Sequence, residues 1–181
     1  MTISEKEHEI TASFYWMSLD RDLSAVIEIE NQSFRYPWKP NDFYNCLTKG
    51  KNPANGIVAV YNGQLIGYII YKIRKRFIEI FGIAVHPAYR RMGIGSQLLA
   101  KVMGISASIQ QKKITIMIGE RNLKGQFFFK NNGFKATAVV YKPFKGFNED
   151  DGYVMEYKAP RPKLKPESKS FRSFLRRFFK E

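Results

Sequence analysis

The stretch Ile83-Ala84-Val85-His86-Pro87-Ala88-Tyr89-Arg90-Arg91-Met92-Gly93-Ile94-Gly95-Ser96 joins an apolar, strand-like run to the start of a helix. His86-Pro87 stops the strand, and a basic turn with two glycines opens the helix. The N–H groups and positive dipole end of a helix favour anions, glycines let phosphate oxygens approach the backbone, and arginines add charge-assisted hydrogen bonds. The stretch therefore reads as a cradle for a pyrophosphate. A Gly-x-Gly spacing alone fits equally well a plain strand–helix turn with two solvated arginines. Two other phosphate loops are excluded. A P-loop ends in Gly-Lys-Ser/Thr, and a dinucleotide fingerprint needs a third small residue near Leu98 and an acid about 20 positions on, where Thr115 stands.

Working outward, Gly93–Gln110 carries Ile94, Leu98, Val102, Ile105 and Ile109 at spacings of three and four, which predicts an amphipathic helix. Before the turn, Phe77–Val85 reads as a strand. Two more strands, Gly56–Tyr61 and Gln64–Lys75, flank Asn62-Gly63, a pair suited to a tight hairpin. Phe14–Leu19 is a further strand, and Asp20 is the expected cap of a helix carrying Leu23, Val26, Ile27 and Ile29. A short helix fits Pro40–Thr48. Beyond the long helix, Lys113–Ile118 reads as a strand and Leu123–Asn131 as a helix. Gly133 is the candidate left-handed residue after that helix, and Lys135–Tyr141 and Gly152–Tyr157 form a last strand pair. The expected class is α/β (α+β), with a mixed, largely antiparallel sheet.

Composition bounds the rest. The 181 residues are 44% hydrophobic and 25% charged, with a formal net charge of +14 and one cysteine, Cys46. That is one domain's worth of chain, with no intrachain disulfide and no cysteine-based zinc site. No apolar run approaches the roughly 20 residues of a membrane span, and MTISEKEHEI is unlike a signal peptide, so the expected compartment is the cytoplasm. Nine Lys or Arg against two Glu between 158 and 181 place half the net charge in the tail. The expected organisation is a polar leader over 1–13, a domain over 14–157, and a basic, Pro-rich linker with a C-terminal helix over 158–181. In that helix Phe171, Phe174, Leu175, Phe178 and Phe179 form one apolar stripe among arginines. Such a helix suits an anionic membrane, rRNA or a partner groove, and equally the domain's own apolar surface. His8, His86 and Cys46 lack metal-ligand spacing, so no metal is expected.

The sequence resembles the GNAT superfamily of N-acetyltransferases, closest to its RimI-like, ribosomal-protein alanine branch. Arg90, Gly93 and Gly95 match the acetyl-CoA signature Arg/Gln-x-x-Gly-x-Gly/Ala. Glu30-Asn31-x-Ser33-Phe34-x-x-Pro37-Trp38 with Phe43, then Ile83–Pro87, then Asn122 followed by Gly133-Phe134, continue the match in the family's order. The resemblance implies a GNAT fold with helices on both faces of the sheet and acetyl-CoA as acetyl donor. It also implies a protein or peptide amine as acceptor, with an N-terminal α-amine, such as that of a ribosomal protein, as the RimI-like case. It places Ile83, Ala84 and Val85 along the pantetheine arm and gives Arg90, Arg91, Met92, Gly93, Ile94, Gly95 and Ser96 to the pyrophosphate. Asn122 and Phe129 then lie beside the cofactor, and Phe34, Tyr36, Trp38 and Tyr141 toward the acceptor.

The chain departs from that branch where protons move. Met117 and Phe129 occupy the positions of the catalytic Glu and Tyr, and neither transfers a proton. Glu79, eleven residues before Arg90, stands where the histone-acetyltransferase branch carries its base. Strand parity puts it on one face with Phe81, Ile83 and Val85, apolar surroundings that would raise its pKa. The competing reading pairs it with Arg74, Lys75 or Arg76. Glu120 is a weaker substitute, Tyr141 a candidate acid or a plain surface tyrosine, and Glu149-Asp150-Asp151 either attracts a basic peptide or is a solvated turn. Two functions fit: an acetyl-CoA-dependent N-acetyltransferase, or a catalytically impaired acyl-CoA-binding module tethered by the tail to membrane or ribosome.

Overall fold

The computed structural model describes residues 10–143 and 151–159. Seven strands form one sheet: β1 (Ser13–Trp16), β2 (Asn55–Tyr61), β3 (Gln64–Ile73), β4 (Ile78–Val85), β5 (Lys113–Gly119), β6 (Lys135–Val140) and β7 (Gly152–Lys158). Their order is β1-β2-β3-β4-β5-β7-β6. Every pairing is antiparallel except β4 with β5, which is parallel. A parallel pair needs a crossover, and helix α3 (Ile94–Ser108) supplies it.

Helices α1 (Leu19–Ser33) and α2 (Pro40–Thr48) cover one face, and α3 and α4 (Leu123–Asn131) the other. On the first face Val26 and Ile29 of α1 and Phe43 of α2 pack on Val58, Tyr68, Ile70 and Ala84. On the second, Ile94, Leu98, Leu99 and Val102 of α3 and Phe129 of α4 close over Ile66, Ile69, Ile80 and Ile116. The connection from Val85 to Lys113 is thus built around one amphipathic helix with its stripe turned inward.

Local chemistry sets the helix starts. Pro40 begins α2, where its missing N–H costs nothing, and the Asp42 carboxylate accepts the Lys39 N–H at 2.7 Å. Ser18, not Asp20, caps α1. Asp22, one turn in, accepts the Ser18 N–H at 2.8 Å and is gripped by Arg21, so the carboxylate that organises this end lies two residues beyond the expected one. Strand β1 consequently stops at Trp16. The expected boundary after residue 13 also moves: Ala12 is buried in the core, Ile10 packs beside it, and the Ile10 carbonyl accepts from Gln97 at 2.7 Å. The proposed tail helix lies outside the described residues.

Strand β4 carries the one irregularity that matters for the site. Ile70 pairs with Gly82 but Tyr71 pairs with Ile80, leaving Phe81 as an extra residue in a β-bulge. The bulge breaks the expected alternation. Ile78 and Ile80 face α3, Phe81 faces α1, and beyond it Ile83 and Val85 face α3 again while Ala84 faces α1.

Leu98 is fully buried and Leu123 is 59% exposed. Leu98→Ala should lower unfolding stability by about 3 kcal/mol, and Leu123→Ala by no more than about 0.5, read from urea midpoints at constant slope.

Candidate active site

The turn after β4 is held open by Arg90. Its Nε donates to the Val85 carbonyl at 2.9 Å, and its Nη2 donates to Ser33 Oγ at 3.0 Å and the Gln32 carbonyl at 3.4 Å. Arg90 therefore ties the turn to the ends of β4 and α1, which shapes the cradle. Past it, Arg91 (φ 67°) and Gly93 (φ 78°) are both left-handed, and Gly93 caps α3. Glycine adopts this conformation without the clash a Cβ would bring, and turns of this kind aim successive N–H groups at one anion. The first turn of α3, Ile94–Ser96, adds N–H groups that no intrahelical carbonyl can reach. Gly95 has a second reason to be glycine: a Cβ there would stand 3.1 Å from the Phe128 ring, so its absence lets α4 close against the cradle.

Beside the cradle the sheet parts. β4 and β5 pair only at Ile78–Ile80 with Ile114–Ile116, after which β4 runs on to Val85 along β3, and β5 to Gly119 along β7. Between Phe81 and Val85 the β5-facing N–H and C=O groups of β4 have no strand beside them. The gap begins at the bulge and opens toward the cradle. Ile83, Ala84 and Val85, expected along an extended arm, line it on one side, and Met117, 41% exposed, stands on the other.

The other expected site residues are distributed as follows. The Asn122 side chain caps α4, its Oδ1 accepting the Gly125 N–H at 2.9 Å. Phe129 is not beside the gap. It is 2% exposed and packs edge-on against Phe128 and Phe134, so it is a core residue and the expectation of a cofactor contact is corrected. Glu79 lies within the closed part of the β4–β5 pair, opposite Thr115, and its Oε2 receives Arg74 Nη2 at 2.6 Å and Nε at 2.7 Å. The apolar surroundings expected for it are absent, because the side chain is one-third exposed and the bulge separates it from Ile83 and Val85. The Glu120 N–H donates to the Asp151 carbonyl, and Tyr141 is 82% exposed past the end of β6.

Facing the α1 side of the gap is the loop between α1 and α2. Trp38 stacks edge-on with Phe43 at 5.3 Å and lies 6.4 Å from Phe81 at the bulge, Phe34 packs into the same cluster, and Tyr36 is 43% exposed under Arg35. One functional candidate escaped the sequence reading: Glu30. It is 5% exposed, accepts the Trp38 N–H at 3.0 Å, and is hydrogen-bonded through its other oxygen by the Tyr68 hydroxyl of β3. Burial pushes its carboxyl up to about 7, against the lowering effect of the Trp38 N–H. Its position on the apolar stripe beside Val26 and Ile29 was the available signal.

A pyrophosphate-bearing thioester with an extended arm fits this arrangement: an anion cradle at a helix N-terminus adjoins a strand with one free backbone edge. These features define an acyl-CoA-using transferase. The acetyltransferase (GNAT) family model matches residues 23–134. A putative ribosomal protein bS18-alanine N-acetyltransferase of Bacillus subtilis is 27% identical over 135 residues, covering 74% of this chain and 87% of the relative. The bS18-alanine N-acetyltransferase of Haemophilus influenzae is 25% identical over 136 residues, with 74% and 90% covered. Among solved structures, the S18-alanine N-acetyltransferase from Escherichia coli superposes with a TM-score of 0.72 at 18% identity, covering 86% of this chain and all of that one. Arabidopsis thaliana NAA60 in complex with acetyl-CoA superposes with a TM-score of 0.69 at 19% identity, covering 82% and 98%. The chain belongs to the acetyltransferase (GNAT) family. It is an acetyl-CoA-dependent N-acetyltransferase. No helix among the described residues is long and apolar enough to cross a membrane.

Glu30 gives a pH test of this geometry. With its folded pKa raised from 4.5 to about 7, the folded chain holds a proton that the unfolded chain has lost between those values. Stability should therefore fall as pH rises through this window, and the cost should be complete above pH 7. Glu30→Gln removes the titration, so its stability relative to wild type should climb between pH 4.5 and 8 by up to about 3 kcal/mol. Urea midpoints at several pH values check this, and a pH-independent difference would contradict the burial of this carboxyl.

Proposed function

We propose that the acceptor is the N-terminal α-amine of a protein or peptide, entering under the Phe34–Trp38 loop toward the gap between β4 and β5, and that the RimI-like relatives indicate a ribosomal protein as the substrate class. The observation that carries the reading is the parting of β4 from β5 beside the cradle, which leaves a free backbone edge facing an aromatic loop. Acetyl-CoA, when bound, supplies an acetyl thioester with a readily leaving thiolate. Arg91, Met92, Gly93, Ile94, Gly95 and Ser96 hold the pyrophosphate, Arg90 keeps their turn in shape, and Ile83, Ala84 and Val85 align the arm along their unpaired edge. A backbone N–H on that edge, fixed before reaction, stabilises negative charge developing on the carbonyl oxygen.

The acceptor class follows from proton chemistry. With Met117 beside the gap and Phe129 buried in the core, neither of these positions supplies a group to remove a proton. At pH 7.5 about a third of α-amine groups are already neutral, against about 0.1% of lysine side chains, so an α-amine needs far less help. Glu79 is the proposed base, reached directly or through water. Tyr36 and Tyr141 are the exposed aromatic groups proposed to meet the acceptor's flanking residues.

Mass spectrometry of a peptide library with free N-termini and internal lysines, incubated with acetyl-CoA, tests the reading. Acetylation should fall on N-termini, and transfer confined to internal lysines would overturn it. Glu79→Gln should lower kcat by about 100-fold with little change in either KM; a wild-type rate removes Glu79 as base. Gly95→Val drives a side chain against Phe128 beside the cradle and should raise the acetyl-CoA KM at least about tenfold.

A further inference from the structure

Glu30 has no part in the chemistry above, yet it is a carboxyl buried at the seam between the acceptor loop and the sheet. A buried carboxyl is costly unless its bonds are made, and Glu30 makes two of unlike origin. One comes from the backbone of Trp38, eight residues on, and the other from the Tyr68 hydroxyl, 38 residues on. Its partners are an amide and a phenol rather than a cation. Asp22, a buried acid on the same helix, is held by Arg21 instead and organises only its own helix end.

The placement of these two bonds is specific. Phe34 ends α1 with its N–H on the Glu30 carbonyl, and Lys39 begins α2 with its N–H on Asp42, so the loop's ends are fixed by ordinary caps. Trp38 is the loop residue whose main chain is anchored by a side chain from α1. On the sheet side, Tyr68 is paired with Ala84, within the segment of β4 that runs along the gap, and its ring stacks edge-on with Phe43. One carboxyl therefore spans from the acceptor loop to the strand beside the donor edge. A second tie runs in parallel, since Arg90 joins the cradle turn to Ser33 just before the loop.

We propose that Glu30 is a positioning residue for the acceptor side: through Trp38 and Tyr68 it fixes the Phe34–Trp38 loop over the gap and so sets affinity for the acceptor peptide without touching it. The proposal rests on the assignment of that loop to the acceptor. Loss of the carboxyl frees the Trp38 main chain and lets the ring leave Phe43 and Phe81. Glutamine has the same reach, can accept from Trp38 and can donate to Tyr68, so it retains both ties.

Steady-state kinetics with acetyl-CoA and an acceptor peptide, each varied in turn, test this. Glu30→Ala should raise the acceptor KM about tenfold or more with the acetyl-CoA KM within about twofold, and Glu30→Gln should stay within about threefold of wild type in both. Tyr68→Phe keeps the ring and removes one tie, so it should raise the acceptor KM by an intermediate amount. Equal effects of alanine and glutamine, a rise in the acetyl-CoA KM alone, or no effect of Tyr68→Phe would overturn the proposal. The chain has two tryptophans, and Trp16 is about half exposed, so in a Trp16→Phe background the emission reports Trp38 alone. A red shift and greater acrylamide quenching are expected in Glu30→Ala but not in Glu30→Gln. This optical readout separates the two ideas. A loosened Trp38 with an unchanged acceptor KM sinks the assignment of the loop to the acceptor, whereas an unchanged Trp38 sinks the anchoring by Glu30.

Discussion

The short parallel pairing of β4 with β5 is the constraint on which the site depends. Three register pairs hold the strands together, and beyond them each follows its other neighbour. The extra residue Phe81 turns β4 at that point, and a bulge adds local twist that an extended parallel ladder could not follow. The same residue flips the facing of everything after it, which places Ile83 and Val85 under α3 and Ala84 under α1. A strand packed on both faces but free along one edge is stable only if something else completes its hydrogen bonding. In the proposed placement of acetyl-CoA an extended amide-bearing arm would do so, with the helix that begins just after the strand as the anion site at the arm's far end.

The cradle and the acceptor loop are mechanically one unit. Arg90 reaches from the cradle turn to the carbonyl of Val85 and to the end of α1, and Glu30 reaches from α1 to the loop and to β3. A guanidinium with five donors suits the first task because it can bind several acceptors from a fixed plane. A carboxyl with two oxygens suits the second because the two groups it joins are both donors.

Much of this was legible because the signals were local. The helices expected over Pro40–Thr48 and Leu123–Asn131 have those limits in the structure, where Pro40 opens the first and Asn122 caps the second. The strand-to-helix turn around Gly93 is likewise local, with Gly93 in the left-handed region at the start of α3. What failed was anything requiring register. The facing of Ile83 was extrapolated by alternation from Glu79, and the bulge invalidated it; Gly82, an isolated glycine inside a strand pattern, was the one warning. Phe129 was placed beside the cofactor from the position of a tyrosine, but a phenyl ring has no hydroxyl to keep it near solvent and sinks between Phe128 and Phe134. Glu30 went unassigned because its partner Tyr68 is distant in sequence, and a pairing of that kind appears only when α1 is laid on β3.

The two carboxyls near the gap illustrate how surroundings divide labour among identical groups. Glu79 sits where the strands are still paired, partly open to water, with the Arg74 guanidinium on one oxygen. That oxygen is held by both Nε and Nη2 of Arg74. Glu30 has one bond on each oxygen and is closed to solvent, which suits it to a tie rather than to proton exchange with a substrate. Met117 fits the same division. A methionine opposite the free edge puts a pliable, uncharged side chain, 41% exposed, on that wall of the gap.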